Sequence, residues 1–196
     1  MRTLTVRKGS GSNYSTGWHQ LTISHAKYGD WEGKKFLDVW FNDYPENFTM
    51  RVYEKVGKDG EEFAIGQVFR FANAGITDGL EGPDGNIVVK IDDDTSHLAD
   101  KTLNVFFHKD GEYTRALKQC APTEFKNIIE EFSKGDVEYW QGRAEKYFTD
   151  YVLNRENGVT AAVTNGTTHV TDPALPCYEP PLDMQGVQLA GPLCCD

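Results

Sequence analysis

Glu61–Gly75 is the clearest helical stretch in the first half of this chain, and strand-like segments flank it on both sides. Ile65, Phe69, Ala72 and Ile76 recur at spacings of four, three and four, which gathers them on one helical face. Gly75 stands where a left-handed C-terminal cap belongs, because glycine takes a positive φ without steric cost. One helix among about six strands makes its place in the order decisive for the fold.

Upstream, residues 8–16 are polar and glycine-rich and read as a lead-in. Trp18, Gln20 and Thr22 alternate with His19, Leu21 and Ile23 in a first strand, and Lys27–Lys34 reads as a loop by its glycines. Leu37, Val39 and Phe41 then oppose Phe36, Asp38 and Trp40 in a second strand, and Phe48, Met50 and Val52 oppose Thr49, Arg51 and Tyr53 in a third. Beyond the helix, residues 77–85 read as loop and Asn86–Ile91 as a short β-branched strand. Leu103–His108 and Tyr113–Leu117 form a hairpin about Asp110-Gly111. A two-residue turn there pairs Lys109 with Glu112, His108 with Tyr113 and Phe106 with Arg115, so Phe106, His108, Tyr113 and Arg115 share one face.

From Pro122 the pattern becomes helical. Thr123 caps a short helix carrying Phe125, Ile128, Ile129 and Phe132, and a second helix runs from about Val137 to Asn154. Residues 159–196 lack periodicity, Lys and Arg, the composition of a disordered tail. The domain organisation expected is therefore 1–120, a helical extension 121–157, and an acidic tail 158–196.

Composition narrows the class. No apolar run approaches the roughly 20 residues of a membrane span, and the N-terminus lacks the apolar core of a secretory signal. Both absences point to a soluble cytoplasmic protein with no membrane partner. Cys120, Cys177, Cys194 and Cys195 have no zinc spacing and read as reduced thiols. The net charge is −10, unevenly spread: residues 1–120 hold 15 Lys/Arg against 18 Asp/Glu, and 121–196 hold 5 against 12. An acidic total opposes generic DNA affinity, yet a basic face on the first part is compatible with it.

Three strands, a helix and a closing hairpin is the element order of the OB-fold, a five-stranded Greek-key barrel whose helix between strands three and four plugs one end. The fold class expected is thus mainly β with helices: an OB-fold-like barrel plus C-terminal helices. Gly17-Trp18-His19-Gln20-Leu21-Thr22-Ile23, a glycine-broken loop and Lys35-Phe36-Leu37-Asp38-Val39-Trp40-Phe41 resemble the start of phage-encoded single-stranded-DNA-binding-like proteins. Ile65–Gly75 is similar to their central helix, and Leu98–Val105 with Gly111-Glu112-Tyr113 to their closing strands. The resemblance covers about residues 14–120 and contains no signature motif. It implies an OB-fold, single-stranded DNA as ligand, and work in replication or recombination in the host cell cytoplasm. The ending Pro192-Leu193-Cys194-Cys195-Asp196 departs from the acid-run tails of bacterial members, which weakens the case for recruiting replication or recombination proteins through the C-terminal region.

Binding single strands without reading sequence requires cations along the backbone and rings on which bases stack, at about 1–3 kcal/mol per base. The faces opposite the apolar ones supply both: Phe36 and Trp40; Arg51, Tyr53 and Lys55; Phe106, His108, Tyr113 and Arg115. Lys27, Tyr28, Trp31, Lys34 and Lys35 add the densest basic–aromatic cluster, placed in the expected first inter-strand loop. The competing explanation is that some of these rings are core beneath the C-terminal helices.

Signs of catalysis are weak. Asp92-Asp93-Asp94 reads as a solvated turn, because adjacent acids on an extended chain diverge instead of converging on a metal. His19, His25, His97, His108 and His169 have no zinc spacing, and neither a phosphate loop nor a nucleophile elbow occurs. Cys120 at a strand end reads as buried structure. The expectation is a non-enzymatic protein without cofactor or metal. Two other classes stay open: a replication-associated interaction module that does not touch DNA, motivated by the acidic second part, and a metal-dependent nuclease using Asp92–Asp94.

Overall fold

The computed structural model describes residues 14–58, 60–81 and 87–154. The chain is mainly β, built on a five-stranded antiparallel sheet with two α-helices. Its strands are β1 (Gly17–Trp31), β2 (Lys34–Phe41), β3 (Thr49–Tyr53), β6 (Thr102–Asp110) and β7 (Tyr113–Ala121), in the order β3-β2-β1-β6-β7. Helix α1 (Ala64–Phe71) follows β3, as expected, but a separate hairpin of β4 (Ile76–Glu81) and β5 (Ile87–Ile91) stands between it and β6. The edges β3 and β7 approach each other without forming a ladder, so the sheet is not a closed barrel.

β1 is central because it serves two partners. Residues 17–22 pair with β6, and 23–31 pair with β2. A bulge between Ile23 and His25 separates the two halves. One extra residue there reverses which side chains point inward. Leu21 and Ile23 are buried before the bulge; after it, Ala26 packs against the core and His25 and Lys27 are exposed.

Alternation in β2 and β3 places Leu37, Val39, Phe41, Met50 and Val52 in the core. They meet Leu103, Val105 and Phe107 of β6 and the buried face of α1, Ile65, Val68, Phe69 and Phe71. Each such side chain taken out of water is worth about 1.5–3 kcal/mol.

The helix is shorter than its pattern, and both ends have local causes. Glu62 supplies the N-terminal cap: its carboxylate accepts from the backbone N–H groups of Ala64 (2.9 Å), Ile65 (2.9 Å) and Gly66 (2.9 Å), and from Lys55 N–H (3.1 Å). At the other end, Ala74 N–H bonds to Phe69 O and Asn73 N–H to Arg70 O, a Schellman closure with Asn73 at φ 50°. The left-handed cap is thus Asn73. Gly75 also has a positive φ (63°), but it turns the chain into β4, where a Cβ would collide with the Asp92 carbonyl.

Three expectations are corrected. Lys27–Lys34 is no loop: β1 and β2 run to a two-residue turn at Glu32-Gly33, both at positive φ (53° and 77°). Residues 76–81 form a strand instead of loop. The helix expected over Phe125–Phe132 is a small hairpin, β8 (Phe125–Lys126) with β9 (Glu131–Phe132). Its turn is closed by Asn127, whose side-chain oxygen accepts from Ile129 and Glu130 N–H, both at 2.8 Å, a local alternative to helix. Glu130 then clamps Arg70 of α1, and Phe132 enters the core.

Helix α2 (Lys134–Tyr147) starts on a Ser133–Asp136 capping box and continues as a π-helical turn, Phe148–Leu153. Trp140 docks on Phe71, with ring centroids 4.9 Å apart, and Ala144 is buried. No helix among the described residues is long and apolar enough to cross a membrane. The expectation for the tail 158–196 lies outside the described residues, as do those for Cys177, Cys194 and Cys195.

Candidate functional site

The β1–β2–β3 ladder sets side chains in rows on its outer face. His25 lies opposite Trp40, and Trp40 opposite Thr49; Lys27 lies opposite Asp38, and Asp38 opposite Arg51. Gly29, Phe36 and Tyr53 form the next row, and Trp31 faces Lys34 near the turn. Seven of the expected site residues therefore share one face: Lys27, Trp31, Lys34, Phe36, Trp40, Arg51 and Tyr53. On it Lys27, Trp31 and Lys34 are exposed and the Arg51 side chain is 42% exposed.

At the centre of this face the packing is specific. Phe36 leans across Gly29, where even a Cβ would strike its ring, and is 8% exposed. Above it the Arg51 guanidinium carbon sits 3.9 Å from the ring centroid, a cation–π contact. Asp38, also 8% exposed, accepts from Arg51 Nε and Nη2, both at 2.7 Å. This two-pronged bond satisfies a buried carboxylate and fixes the guanidinium plane. It also holds Arg51 protonated even more firmly than usual. Tyr53 meets Phe36 edge-on at 5.6 Å.

At one end Trp40 donates its indole N–H to Glu46 O (2.9 Å) and stacks on His25. At the other, Trp31 is 59% exposed. Lys27 and Lys34 are exposed and enter no ion pair among the described residues. The arrangement offers rings for stacking and cations for phosphates, with Asp38 the lone acid in its rows.

The other expected residues lie elsewhere. Tyr28 points to the opposite side, where its hydroxyl donates to Asp93 O (3.1 Å); burial and then the Asp93 carboxylate push this phenol well above its ordinary value. Lys35 follows the inward parity of Leu37 at the exposed hairpin end, and Lys55 lies beyond β3. Phe106 and His108 sit on β6 beneath Phe148, at 5.4 Å and 5.1 Å between centroids. Trp18 joins them, packing on Phe106 and donating to Glu145 (2.7 Å). The helical extension thus covers this half of the sheet. Arg115 pairs with Asp110, and Tyr113 is exposed at the β6–β7 turn. That turn is Gly111-Glu112, so His108 pairs with Arg115 instead of Tyr113. The shift is by two residues, and the face shared by His108, Tyr113 and Arg115 is unchanged.

His25 escapes a reading by alternation. Counting from Leu21 and Ile23 sends it inward; only the bulge turns it out to Trp40. Among the described residues no cluster of His, Cys, Asp and Glu is arranged to hold a metal ion. Asp92 bonds His97 (3.1 Å) and Asp94 caps the 3₁₀ turn Thr95–Leu98, so these acids serve the loop. Comparison with protein-family models, curated proteins and solved structures gives no match.

Proposed function

We propose that the outer face of β1–β3 binds single-stranded DNA without reading its sequence, as a protein of phage-type replication or recombination working in the host cytoplasm. The observation that carries this reading is one sheet face on which Lys27, Lys34 and Arg51 interleave with Trp31, Phe36, Trp40 and Tyr53. Cations there attract phosphates, and the exposed Trp31 and the part-exposed Trp40 and Tyr53 accept unpaired bases, while Phe36 lies buried beneath Arg51. The reading takes the sheet order β3-β2-β1-β6-β7, with α1 after β3, as an OB-fold whose β3–β7 seam stays open. Bound strand is kept from re-pairing and from nucleases; the protein itself does no chemistry.

Tryptophan fluorescence titrated with oligothymidylate tests this. Quenching at about 50 mM salt that weakens steeply as salt rises is the expected result, because released counterions drive such binding. Absence of binding at that salt refutes it.

A further inference from the structure

Arg51 is the most constrained cation on the proposed face. Its inner face rests on Phe36 at 3.9 Å, and its Nε/Nη2 edge is occupied by Asp38 at 2.7 Å. The side chain is nevertheless 42% exposed; with Phe36 beneath it, Asp38 on the Nε/Nη2 edge and the Tyr53 side chain also bonding to it, the outer face of the plane is the surface that remains for a ligand. A phosphate is best gripped through a two-nitrogen edge, and here one such edge is taken and the charge is offset by the carboxylate. A nucleobase needs only a flat, weakly hydrated plane, and a guanidinium provides one.

We propose that Arg51 meets the strand as a stacking platform for one base, not as a phosphate contact, with Asp38 as the positioning residue that holds the plane level over Phe36. This rests on the reading of the face as a single-strand site and specifies what one residue of it does. The platform is a three-layer stack: Phe36 ring, Arg51 guanidinium, base. Lysine has the charge but no plane, so Arg51→Lys separates the two roles.

The experiment measures binding of wild type, Arg51→Lys and Asp38→Asn to oligothymidylate and to an abasic deoxyribose-phosphate chain of equal length. Arg51→Lys is expected to lose about 5- to 150-fold on oligothymidylate, the worth of one stacked base, and almost nothing on the abasic chain. Asp38→Asn frees the fork; it is expected to weaken oligothymidylate binding while tightening the abasic chain, since an unpaired cation then reaches phosphate. Equal losses of Arg51→Lys on both polymers, no loss on oligothymidylate, or tightening of both by Asp38→Asn overturns the platform role while leaving single-strand binding intact. A wild type that binds neither polymer overturns the underlying reading as well. If the variants melt early, the Arg51 Nε–H proton resonance of the wild type decides. An upfield shift with oligothymidylate, absent with the abasic chain, supports stacking; equal shifts with both refute it.

Discussion

The imidazole of His25 lies 7° from parallel with the indole of Trp40, their centroids 4.5 Å apart. The pair joins two strands on the proposed binding face, and Glu46 O fixes the indole from the other edge. Trp40→Ala is expected to weaken oligothymidylate binding by about 5- to 150-fold, matching about 1–3 kcal/mol for a stacked base. The same variant should lose part of the fluorescence quench, the remainder reporting Trp31. Unchanged affinity would remove Trp40 from the site.

On the proposed face Lys27 and Lys34 contribute charge. Each of Lys27→Gln and Lys34→Gln should make the plot of log affinity against log salt shallower by about 0.7, the value for one phosphate contact on a single strand. Filter binding between about 50 and 200 mM salt measures it. A slope that does not move assigns that lysine no phosphate.

Phe148 covers Phe106 and His108. Phe148→Ala is expected to cost about 1–3 kcal/mol in urea unfolding, because the ring is only partly buried. Affinity for oligothymidylate should stay within about twofold, as expected for separate sites. A large loss of affinity without loss of stability would bring this half of the sheet back into the interface.

Gly75→Ala combines a left-handed backbone with a collision against the Asp92 carbonyl. A cost of about 1–3 kcal/mol is expected. Asn73→Gly, at the neighbouring left-handed position (φ 50°), relieves the backbone but removes the bond that Asn73 Oδ1 accepts from Asn127 Nδ2 (3.0 Å), so a cost of about 0.5–1.5 kcal/mol is expected in the same urea assay.

Cys120 is buried, and burial pushes its thiol from 9.0 up to about 12. The unfolded chain therefore releases this proton first as pH rises. Stability attributable to the neutral thiol is complete below pH 9 and is lost progressively between about 9 and 12. Wild type should fall in stability faster than Cys120→Ala across that window. Peptide mapping after alkylation at pH 8 should find Cys120 unmodified until denaturant is added.

Much of this architecture was legible because burial imposes period two. Leu37, Val39 and Phe41 against Phe36, Asp38 and Trp40 place β2 and its two faces correctly, and Met50 and Val52 do the same for β3. The errors arise where a local bond outweighs periodicity. Glycines near Lys27–Lys34 suggest a loop, yet Gly29 is a strand residue kept small for the Phe36 ring, and only Glu32-Gly33 turns. Phe125, Ile129 and Phe132 have helical spacing, but Asn127 bonds the backbone into a turn. The cover over Phe106 and His108 depends on where Phe148 lands, a tertiary fact with no local signal.

The irregularity between Ile23 and His25 has a wider consequence. A single supernumerary residue puts the two ends of β1 out of phase, one end mortgaged to a helical lid and the other left to solvent. Were Ser24 to pair in strict alternation without the bulge, Lys27 and Trp31 would turn toward the interior and Tyr28 and Asp30 outward, whereas deleting Ser24 would leave all four facing as they do. The bulge that absorbs Ser24 thus decides which chemistry the domain presents to its surroundings, though it need touch no ligand itself.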